Sequence, residues 1–448
     1  IDKVLDCWFE SGSMPFAQFH YPFENAEKFE ANFPGDFIVE YVGQVRAWFY
    51  YVHAVSVGLF GKNAFKNVIT TGTLAGNDGR KMSKSFGNYT DPNELMDLYS
   101  ADALRFLFMS STLMNGEDFA LQDKDVADVQ RKLAMVWNMY DFFTTYAEVD
   151  KWEWNGTLND PSQGLTNPLD LWVVSRLHQL RNHVTKHMEG YDIPNALADV
   201  LPFLDDASNW YVRRSRRRFW RASTMHRADQ PTGEAGQQTS TGSEISTALL
   251  RSGTESTAPS AAHRESPSST RLQDADGVLT ESDRDKNDAY KTLHYVLVQL
   301  SLLLAPFTPF LAEELFLKLT GGELGESVHL LEWPAEGQVN EHVLTDMAYA
   351  RGAINLGLSK RAENGLKVRQ PLAKVTIYNA LVEDDSLKAY TEIIAEELNV
   401  KEVVVAQSGG LSADEASVLE SQPGYGSQDG GLVRLLLDLA VTPELKRE

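Results

Sequence analysis

The sequence contains a single cysteine, Cys7, and no apolar run of about 18 residues. One cysteine excludes internal disulfides and any multi-cysteine zinc site, so we expect no structural zinc and a reducing, cytoplasmic environment. The missing apolar run excludes a membrane-spanning helix. Positive charge is also scarce, because 41 Lys and Arg face 63 Asp and Glu, for a formal net charge of -22. Any contact with RNA must therefore come from local basic patches.

Apolar residues are plentiful by comparison. The 448 residues are 43% hydrophobic and 10% aromatic, which is enough for two to four domains with proper cores. Residues 221–287 are the exception, since they are rich in Ser, Thr, Gly and charge and contain no Phe, Trp or Tyr. Such a segment cannot bury enough surface to offset its ordering entropy, which predicts a disordered insertion. The first residue, Ile1, is not methionine, which indicates that the chain begins inside a longer one.

A glycine-flanked loop, residues 79–88, carries three cations and two serine hydroxyls. Lysines supply point charges, serines supply hydroxyls, and glycines allow a ligand close to the backbone, so the loop has the chemistry of a phosphate-binding segment. A solvated turn has the same composition. We call residues 79–88 the lysine loop.

The residues before the lysine loop predict an α/β layer. Residues 36–42 and 65–71 have strand patterns, and the apolar segment 45–60 between them predicts a helix that ends at Gly61. Strand, helix and strand in this order form one right-handed crossover, with ligands at the carboxyl ends of the strands. This places residues 40–44 and the lysine loop on one rim.

The rest of the chain is predicted to be mainly helical, so that the fold class is α/β plus all-α. Helices are predicted over 92–99, 102–109, 123–146, 167–188, 193–220 and 288–320, the last interrupted at Pro306 and Pro309. The carboxyl end is predicted to be a small α/β region, with strands over 375–378 and 399–405 and a helix over 386–398.

The segment Lys81-Met82-Ser83-Lys84-Ser85 is letter for letter the signature loop of the class I aminoacyl-tRNA synthetases, and residues 101–105 resemble the helix start that follows it. This resemblance implies a Rossmann-type catalytic fold that uses ATP with Mg²⁺. It also implies that Lys84, with Lys81 and Ser83 beside it, stabilises the pyrophosphate leaving group by charge in the transition state.

Two tryptophans resemble pocket residues of the isoleucyl branch of this family. Trp8 lies in Trp-Phe-Glu-Ser-Gly, and Trp48 lies in Gln-Val-Arg-Ala-Trp-Phe. The resemblance implies that both flank the isoleucine side chain, whereas any protein with these residues alone would use them as core aromatics. Glu40 and Gln44 match the rim that contacts ATP and the adenylate. Gly43 stands where the family usually has an aspartate, which leaves Glu40 as the acceptor for ribose hydroxyls.

Residues 209–220 resemble the anticodon-binding helical domain of the isoleucyl, valyl, leucyl and methionyl group. Five arginines in six positions within an acidic protein indicate a contact with the RNA backbone, or else a solvated helix face with some arginines paired to acids. With the basic segment 360–369, the predicted tRNA-binding residues are Arg213, Arg214, Arg216, Arg217, Arg218, Lys360, Arg361 and Lys367.

A second family signature, His-x-Gly-His, is missing, because no two of the ten histidines are three positions apart. No segment is long enough for the family's editing domain either. The resemblance thus implies a partial chain, inactive alone, from a monomeric enzyme that uses isoleucine, ATP and tRNA(Ile). A valyl or leucyl enzyme and a non-catalytic tRNA-binding module are the alternatives.

The resemblance divides the chain into four parts. Residues 1–91 are expected to form the second half of the catalytic domain, 92–150 a stem-contact region, 151–340 the helical anticodon-binding domain and 341–448 a truncated α/β region.

Overall fold

The computed structural model describes residues 6–80, 82, 85–221, 280–379, 387–407, 421–423, 432–439, 443 and 445. Among these residues, no helix is long and apolar enough to cross a membrane. The predicted insertion lies outside the described residues over 222–279. Three residues of the lysine loop, Lys81, Ser83 and Lys84, lie outside them as well.

The predicted α/β crossover is confirmed. Strands β1 and β2 pair in parallel, with Glu40 opposite Thr70 and Tyr41 opposite Thr71. The helix between them begins at Trp48 rather than at the predicted residue 45, because residues 42–46 form a 3-10 turn. The elements of this part are α1 (Cys7–Gly12), α2 (Met14–Ala17), α3 (Ala26–Asn32), β1 (Gly35–Tyr41), α4 (Trp48–Phe60) and β2 (Phe65–Thr71).

The two-stranded sheet is poorly covered by the described residues. Phe37 is 50% exposed, Val39 44% and Val68 46%. Parallel sheets normally carry apolar side chains because both of their faces are packed against other elements. The apolar composition of β1 and β2 is therefore that of a buried sheet, although most of their residues are exposed in this structure.

A long helix follows the lysine loop and carries the next part of the core. Its buried residues, among them Val126, Leu133 and Met139, recur every three or four positions, as the 3.6-residue period of an amphipathic helix requires. The elements here are β3 (Leu74–Ala75), α5 (Pro92–Tyr99), α6 (Ala101–Ser110), β4 (Phe119–Ala120) and α7 (Asp123–Asp150).

The helical domain departs from the sequence prediction in two places. The helix predicted over 193–220 is divided after Ala198 and contains a π-helical turn over Asp206–Val212. The helix predicted over 288–320 begins earlier, where Thr280 accepts a hydrogen bond from the backbone N–H of Asp283. Its predicted interruption at Pro306 and Pro309 is confirmed, because one helix ends at Leu304 and the next begins at Pro309. The helices are α8 (Pro168–Glu189), α9 (Ile193–Ala198), α10 (Val200–Asp205), α11 (Arg213–Trp220), α12 (Glu281–Leu304), α13 (Pro309–Thr320) and α14 (Glu341–Glu363).

Two side chains of α6 clamp the corner between α12 and α13. Asp102 accepts hydrogen bonds from the backbone N–H groups of Leu311 (2.7 Å) and Phe310 (3.4 Å) at the start of α13. Arg105 donates to the carbonyl oxygens of Pro306 (3.1 Å) and Phe307 (3.3 Å) in the corner itself. A carboxylate at a helix start and a cation after a helix end both suit the helix dipole. The clamp fastens the helical domain to the segment that follows the lysine loop.

The carboxyl-terminal region is a mixed sheet with strand order β6-β5-β8-β7. Strands β5 and β6 are parallel, as the strand-helix-strand prediction implied, and β8 pairs antiparallel with β5. Of the helix predicted over 386–398, residues 387–388 and Thr391–Leu398 are helical, with a turn between them. Helix α14 packs against both α8 and this sheet region. The elements are β5 (Leu372–Asn379), α15 (Thr391–Leu398), β6 (Val400–Gln407), β7 (Ser421–Pro423) and β8 (Leu432–Leu437).

The predicted insertion was too long at its carboxyl end, because residues 281–287 belong to α12. Lys286 is only 2% exposed and donates to Asp150 Oδ2 (2.5 Å) and to the carbonyl oxygen of Arg221 (2.6 Å). The prediction from composition was wrong for residues 281–287, because their charged side chains pair with residues distant in sequence. The Lys286–Arg221 hydrogen bond also holds the two ends of the segment 222–279 close together.

We expect deletion of residues 222–279, bridged by a short Gly-Ser linker, to leave the melting temperature nearly unchanged. Deletion of 222–287 also removes Asp285 and Lys286, so that their buried partners lose these ionic contacts. An unpaired buried charge costs about 3–5 kcal/mol, so this longer deletion is expected to lower the melting temperature by roughly 10 °C. Calorimetry of the two deletions against the parent tests this, and equal melting temperatures for both deletions would contradict the revised boundary.

Candidate functional site

The carboxyl ends of β1 and β2 form one edge of the parallel sheet. Strand β1 ends at Tyr41 and continues into the 3-10 turn Val42–Arg46, and β2 ends at Thr71, directly opposite Tyr41. The chain then runs through β3 to the base of the lysine loop. Topology therefore brings the predicted rim, with Glu40 and Gln44, to the edge from which the lysine loop leaves. Glu40 is exposed at this edge.

Gln44 also has a local role in folding. Its side-chain oxygen accepts a hydrogen bond from the backbone N–H of Trp48 (3.0 Å), which caps the first turn of α4. The amide nitrogen of Gln44 has no hydrogen-bond partner among the residues that the structure describes. The hydrogen bond to the side-chain oxygen thus orients Gln44, and its amide nitrogen remains available as a donor.

The base of the lysine loop is a ring of polar contacts. Asp78 accepts hydrogen bonds from the Asn88 amide (2.9 Å) and from the backbone N–H of Arg80 (3.0 Å), and it pairs with the Arg80 guanidinium (2.6 Å). These contacts, with the Asn88 hydrogen bond first, lower the pKa of Asp78 to about 2. Gly76 is required nearby, since a β-carbon there would overlap Asn88. The two ends of the loop are joined at a fixed separation.

Sequence reasoning missed this ring because it took the loop to begin at Gly79. The dipeptide Asp78-Gly79 is a turn signature, and Gly79 has φ +76°, which only glycine adopts readily. Arg80 lies over the exposed ring of Phe86 at 5.0 Å, and Met82 packs against the protein core. The predicted catalytic residues Lys81, Ser83 and Lys84 lie outside the described residues, so their roles stay predictions.

The two predicted pocket tryptophans lie on helices that pack together. The indole Nε1 of Trp48 donates to the carbonyl oxygen of Ser11 (3.3 Å), and the Ser11 hydroxyl donates to the carbonyl oxygen of Trp8 (3.0 Å). The close approach of α1 to α4 depends on Gly12, where a β-carbon would lie 3.0 Å from the Tyr51 backbone. Trp8 is 38% exposed and Trp48 is half-buried. Both are available to a ligand, and their assignment to isoleucine stays a prediction.

The arginine segment, residues 213–218, divides into inward and outward side chains. Arg218 is buried, and its guanidinium makes a bidentate ion pair with Asp170 (2.7 and 2.6 Å) and a further bond to Asp285 (3.0 Å). Burial lowers the pKa of Arg218, but the Asp170 contacts outweigh this and hold it above its usual value. Arg218 was predicted to bind tRNA, and in this structure it is inaccessible to RNA.

The other arginines of the segment differ in accessibility. The side chain of Arg214, which was predicted to bind tRNA, is only 7% exposed, the same as that of Arg218, so RNA has little access to it in this structure. Arg214 stacks on Trp210 at 4.3 Å and pairs with Glu397, and desolvation lowers its pKa to about 10, so that it stays charged at neutral pH. Arg217 is exposed and pairs with Glu396. Arg213 and Arg216 are exposed as well. Arg213, Arg216 and Arg217 are thus the exposed arginines of this helix, and of these only Arg217 is paired with a carboxylate in the part of the chain that the structure describes.

The second basic segment divides in the same way. Arg361 is 1% exposed and donates to the carbonyl oxygens of Lys367 (3.1 Å), Gln370 (2.9 Å) and Asn399 (3.0 Å). It holds together the turn after α14, so RNA cannot reach it in this structure. Lys360 pairs with Glu363 at 3.1 Å, and Lys367 is exposed. Among the described residues, no group of His, Cys, Asp and Glu is arranged to hold a metal ion.

Comparison with protein families matches two regions of the chain. Residues 1–121 match the model for class I tRNA synthetases of the I, L, M and V group. Residues 170–235 and 268–377 match the model for the anticodon-binding domain of tRNA ligases. The chain belongs to the class I aminoacyl-tRNA synthetases. The anticodon-binding match runs past residue 340, into α14 and β5.

Several curated relatives are isoleucine–tRNA ligases. The chain is 36% identical to the enzyme of Treponema denticola over 417 residues, which is 90% of this chain and 33% of that protein. It is 35% identical to the Protochlamydia amoebophila enzyme (97% and 36%) and 37% identical to the Nocardia farcinica enzyme (90% and 32%). The chain thus spans about a third of the length of these relatives.

A solved structure of LeuRS from Agrobacterium radiobacter K84 is also similar to the chain. Its TM-score is 0.49, with 13% identity over 90% of this chain and 41% of that one. A similarity this weak supports no conclusion about the site.

We predict opposite phenotypes for substitutions of the inward and the outward arginines. Arg218→Leu is expected to lower the free energy of unfolding by about 3–5 kcal/mol, since it leaves the buried Asp170 carboxylate unpaired. Arg213→Ala, a matched loss of one charge at an exposed position of the same helix, is expected to change stability by no more than about 0.5 kcal/mol and to weaken tRNA binding. Urea unfolding and filter binding separate the two. Equal destabilisation by both changes would contradict the division.

Proposed function

We propose that this chain contributes the carboxyl-terminal part of the catalytic domain and the anticodon-binding domain to an isoleucine–tRNA ligase. In the first step, a carboxylate oxygen of isoleucine attacks the α-phosphorus of ATP, and the bond to the β-phosphate oxygen breaks to release pyrophosphate. In the second step, a terminal ribose hydroxyl of tRNA(Ile) attacks the carbonyl carbon of isoleucyl-adenylate, and AMP leaves. The resemblance further suggests a cytoplasmic, monomeric enzyme.

The observation that carries this proposal is the common edge of β1 and β2. The turn with Glu40 and Gln44 lies at the carboxyl end of one strand, and the lysine loop follows the adjacent end of the other strand. The rim and the lysine loop follow adjacent strand ends, so a nucleotide whose nucleoside contacts the rim is expected to direct its phosphates toward the lysine loop. The names of the relatives favour isoleucine over valine or leucine as the amino acid.

The proposed roles follow from charge and shape. Lys84 and Lys81 neutralise the negative charge that develops on pyrophosphate as the bond between the α-phosphorus and the bridging oxygen breaks, and the Ser83 hydroxyl donates a hydrogen bond to it. Trp8 and Trp48 present apolar rings to the aliphatic side chain of isoleucine. Mg²⁺ enters with ATP as part of the substrate.

The exposed sheet supports the proposal that another segment completes the catalytic domain. Phe37, Val39 and Val68 give β1 and β2 the composition of a parallel sheet covered on both faces. We propose that the amino-terminal half of the synthetase, which carries His-x-Gly-His in the family, covers this sheet and supplies the remaining nucleotide contacts. Residues 1–91 then belong to the catalytic domain, 92–150 to the stem contact, 151–340 to the anticodon-binding domain and 341–448 to the small α/β region.

The test is isoleucine-dependent ATP/pyrophosphate exchange by the 448-residue chain, alone and mixed with a separately expressed amino-terminal half of the synthetase. We expect no exchange from the chain alone and exchange on mixing, with isoleucine preferred over valine and leucine. Exchange that depends on valine or leucine would reassign the substrate. No exchange in either arm, together with measurable tRNA binding, would instead favour a non-catalytic tRNA-binding module.

In the exchanging mixture, Lys84→Ala is expected to slow adenylate formation by about 100- to 1000-fold, the loss typical of one charge-stabilising donor. Binding of tRNA should be unchanged, because the lysine acts mainly in the transition state. Lys66→Ala is the matched control, since Lys66 pairs with Asp36 at the opposite, amino-terminal edge of the same sheet (2.9 Å). An equal loss of rate in both variants would argue against the role of Lys84.

A further inference from the structure

Tyr41 lies at the edge of the proposed site, although no sequence motif pointed to it. It is the last residue of β1, opposite Thr71, and its side chain is 47% exposed. The 3-10 turn Val42–Arg46 begins immediately after it. An exposed aromatic side chain at the carboxyl end of a parallel strand lies where ligands of such sheets bind.

The Tyr41 ring stands directly over Gly43. A β-carbon built at Gly43 would lie 2.5 Å from both Cζ and the hydroxyl oxygen of Tyr41, well inside van der Waals contact. Gly43 has no positive φ, so its backbone conformation does not call for glycine, and a β-carbon at this position would instead displace the Tyr41 ring. The phenol hydroxyl therefore occupies the space in which a side chain at position 43 would begin.

The hydroxyl is also available to a ligand. Tyr41 makes no side-chain hydrogen bond to any residue that the structure describes. Glu40 precedes it, and Gln44, whose amide nitrogen is a spare donor, lies in the following turn. A phenol hydroxyl both donates and accepts hydrogen bonds, so it suits a vicinal pair of hydroxyls such as those of a ribose.

We propose that Tyr41 is a nucleoside-contacting residue, whose hydroxyl, held over Gly43, hydrogen-bonds the ribose of ATP and of the adenylate. The inference rests on the proposed function, and it adds a residue to that site. It also accounts for Gly43, which stands where the family usually has an aspartate. A polar group is kept over the turn, but it is a hydroxyl contributed from position 41.

The competing role for Tyr41 is packing, with its ring covered by the segment that completes the sheet. The two roles differ in their dependence on the hydroxyl. A packing ring tolerates Tyr41→Phe, whereas a ribose contact does not. They also differ at Gly43, because a methyl group there displaces the phenol from above the turn without removing it.

The experiment measures the KM for ATP and for isoleucine in the exchange assay of the chain mixed with the amino-terminal half. Tyr41→Phe is expected to raise the KM for ATP roughly 5- to 10-fold, the effect of one lost hydrogen bond, and to leave the KM for isoleucine unchanged. Gly43→Ala should produce a similar rise. The double variant Y41F/G43A should be no worse than either single variant, because both remove the same contact.

Two further variants sharpen the test. Y41G/G43D, which moves the polar group back to position 43, is expected to recover most of the ATP affinity. Tyr50→Phe is the matched control, since Tyr50 is exposed (59%) on α4 outside the rim, and it should match the parent. Circular dichroism melting of each variant checks that the fold is retained.

The outcomes separate this inference from the proposed function. Isoleucine-dependent exchange by the parent with an unchanged KM for ATP in Tyr41→Phe would overturn the role of Tyr41 alone. Additive losses in Y41F/G43A would overturn it too, since independent effects exclude a shared contact. No exchange by the parent mixture would overturn the proposed function and this inference together.

Discussion

The clamp between α6 and the α12–α13 corner connects the two halves of this molecule. Asp102 accepts hydrogen bonds from two backbone N–H groups that the first turn of α13 leaves without helical partners, and Arg105 donates to two carbonyl oxygens of the corner. Desolvation raises the pKa of Asp102 despite those N–H contacts, so burying this carboxylate carries a cost. What the clamp contributes is orientation. The segment after the lysine loop and the helical domain are held in one arrangement.

A second buried ionic centre organises the helical domain from within. The Arg218 guanidinium and the Tyr211 hydroxyl (2.8 Å) both contact Asp170, whose side chain is fully buried, and Asp285 completes the set. Breaking such a centre costs more than forming it contributes, because each remaining charge is left without water or a partner. The strong negative charge of the protein thus has a structural use, since acidic residues from two helices, α8 and α12, pair with the inward arginine.

The catalytic part presents the opposite situation, in which polar groups are held near the surface for use. The Asp78 ring fixes the two ends of the lysine loop, Gln44 caps α4 with one end of its amide, and Tyr41 lies over Gly43. Each of these side chains is oriented by a local contact rather than by deep burial. Tyr41 and Gln44 lie at one edge of a sheet whose residues are mostly exposed among those described, and the Asp78 ring follows β3 farther along the chain.

The sequence by itself determined the elements whose signals are local. Strand β2 and helix α5 have the predicted bounds, because β-branched residues and an Asp-Pro start are read within a few positions. The lysine loop identified the family through short-range chemistry alone. Only the tertiary structure decided which way side chains point. The same arginine run contains buried Arg218 and exposed Arg213, and residues 281–287 are helical because Lys286 finds Asp150. The partners in these ion pairs lie far apart in sequence and meet only in the folded protein, so local sequence patterns do not reveal them.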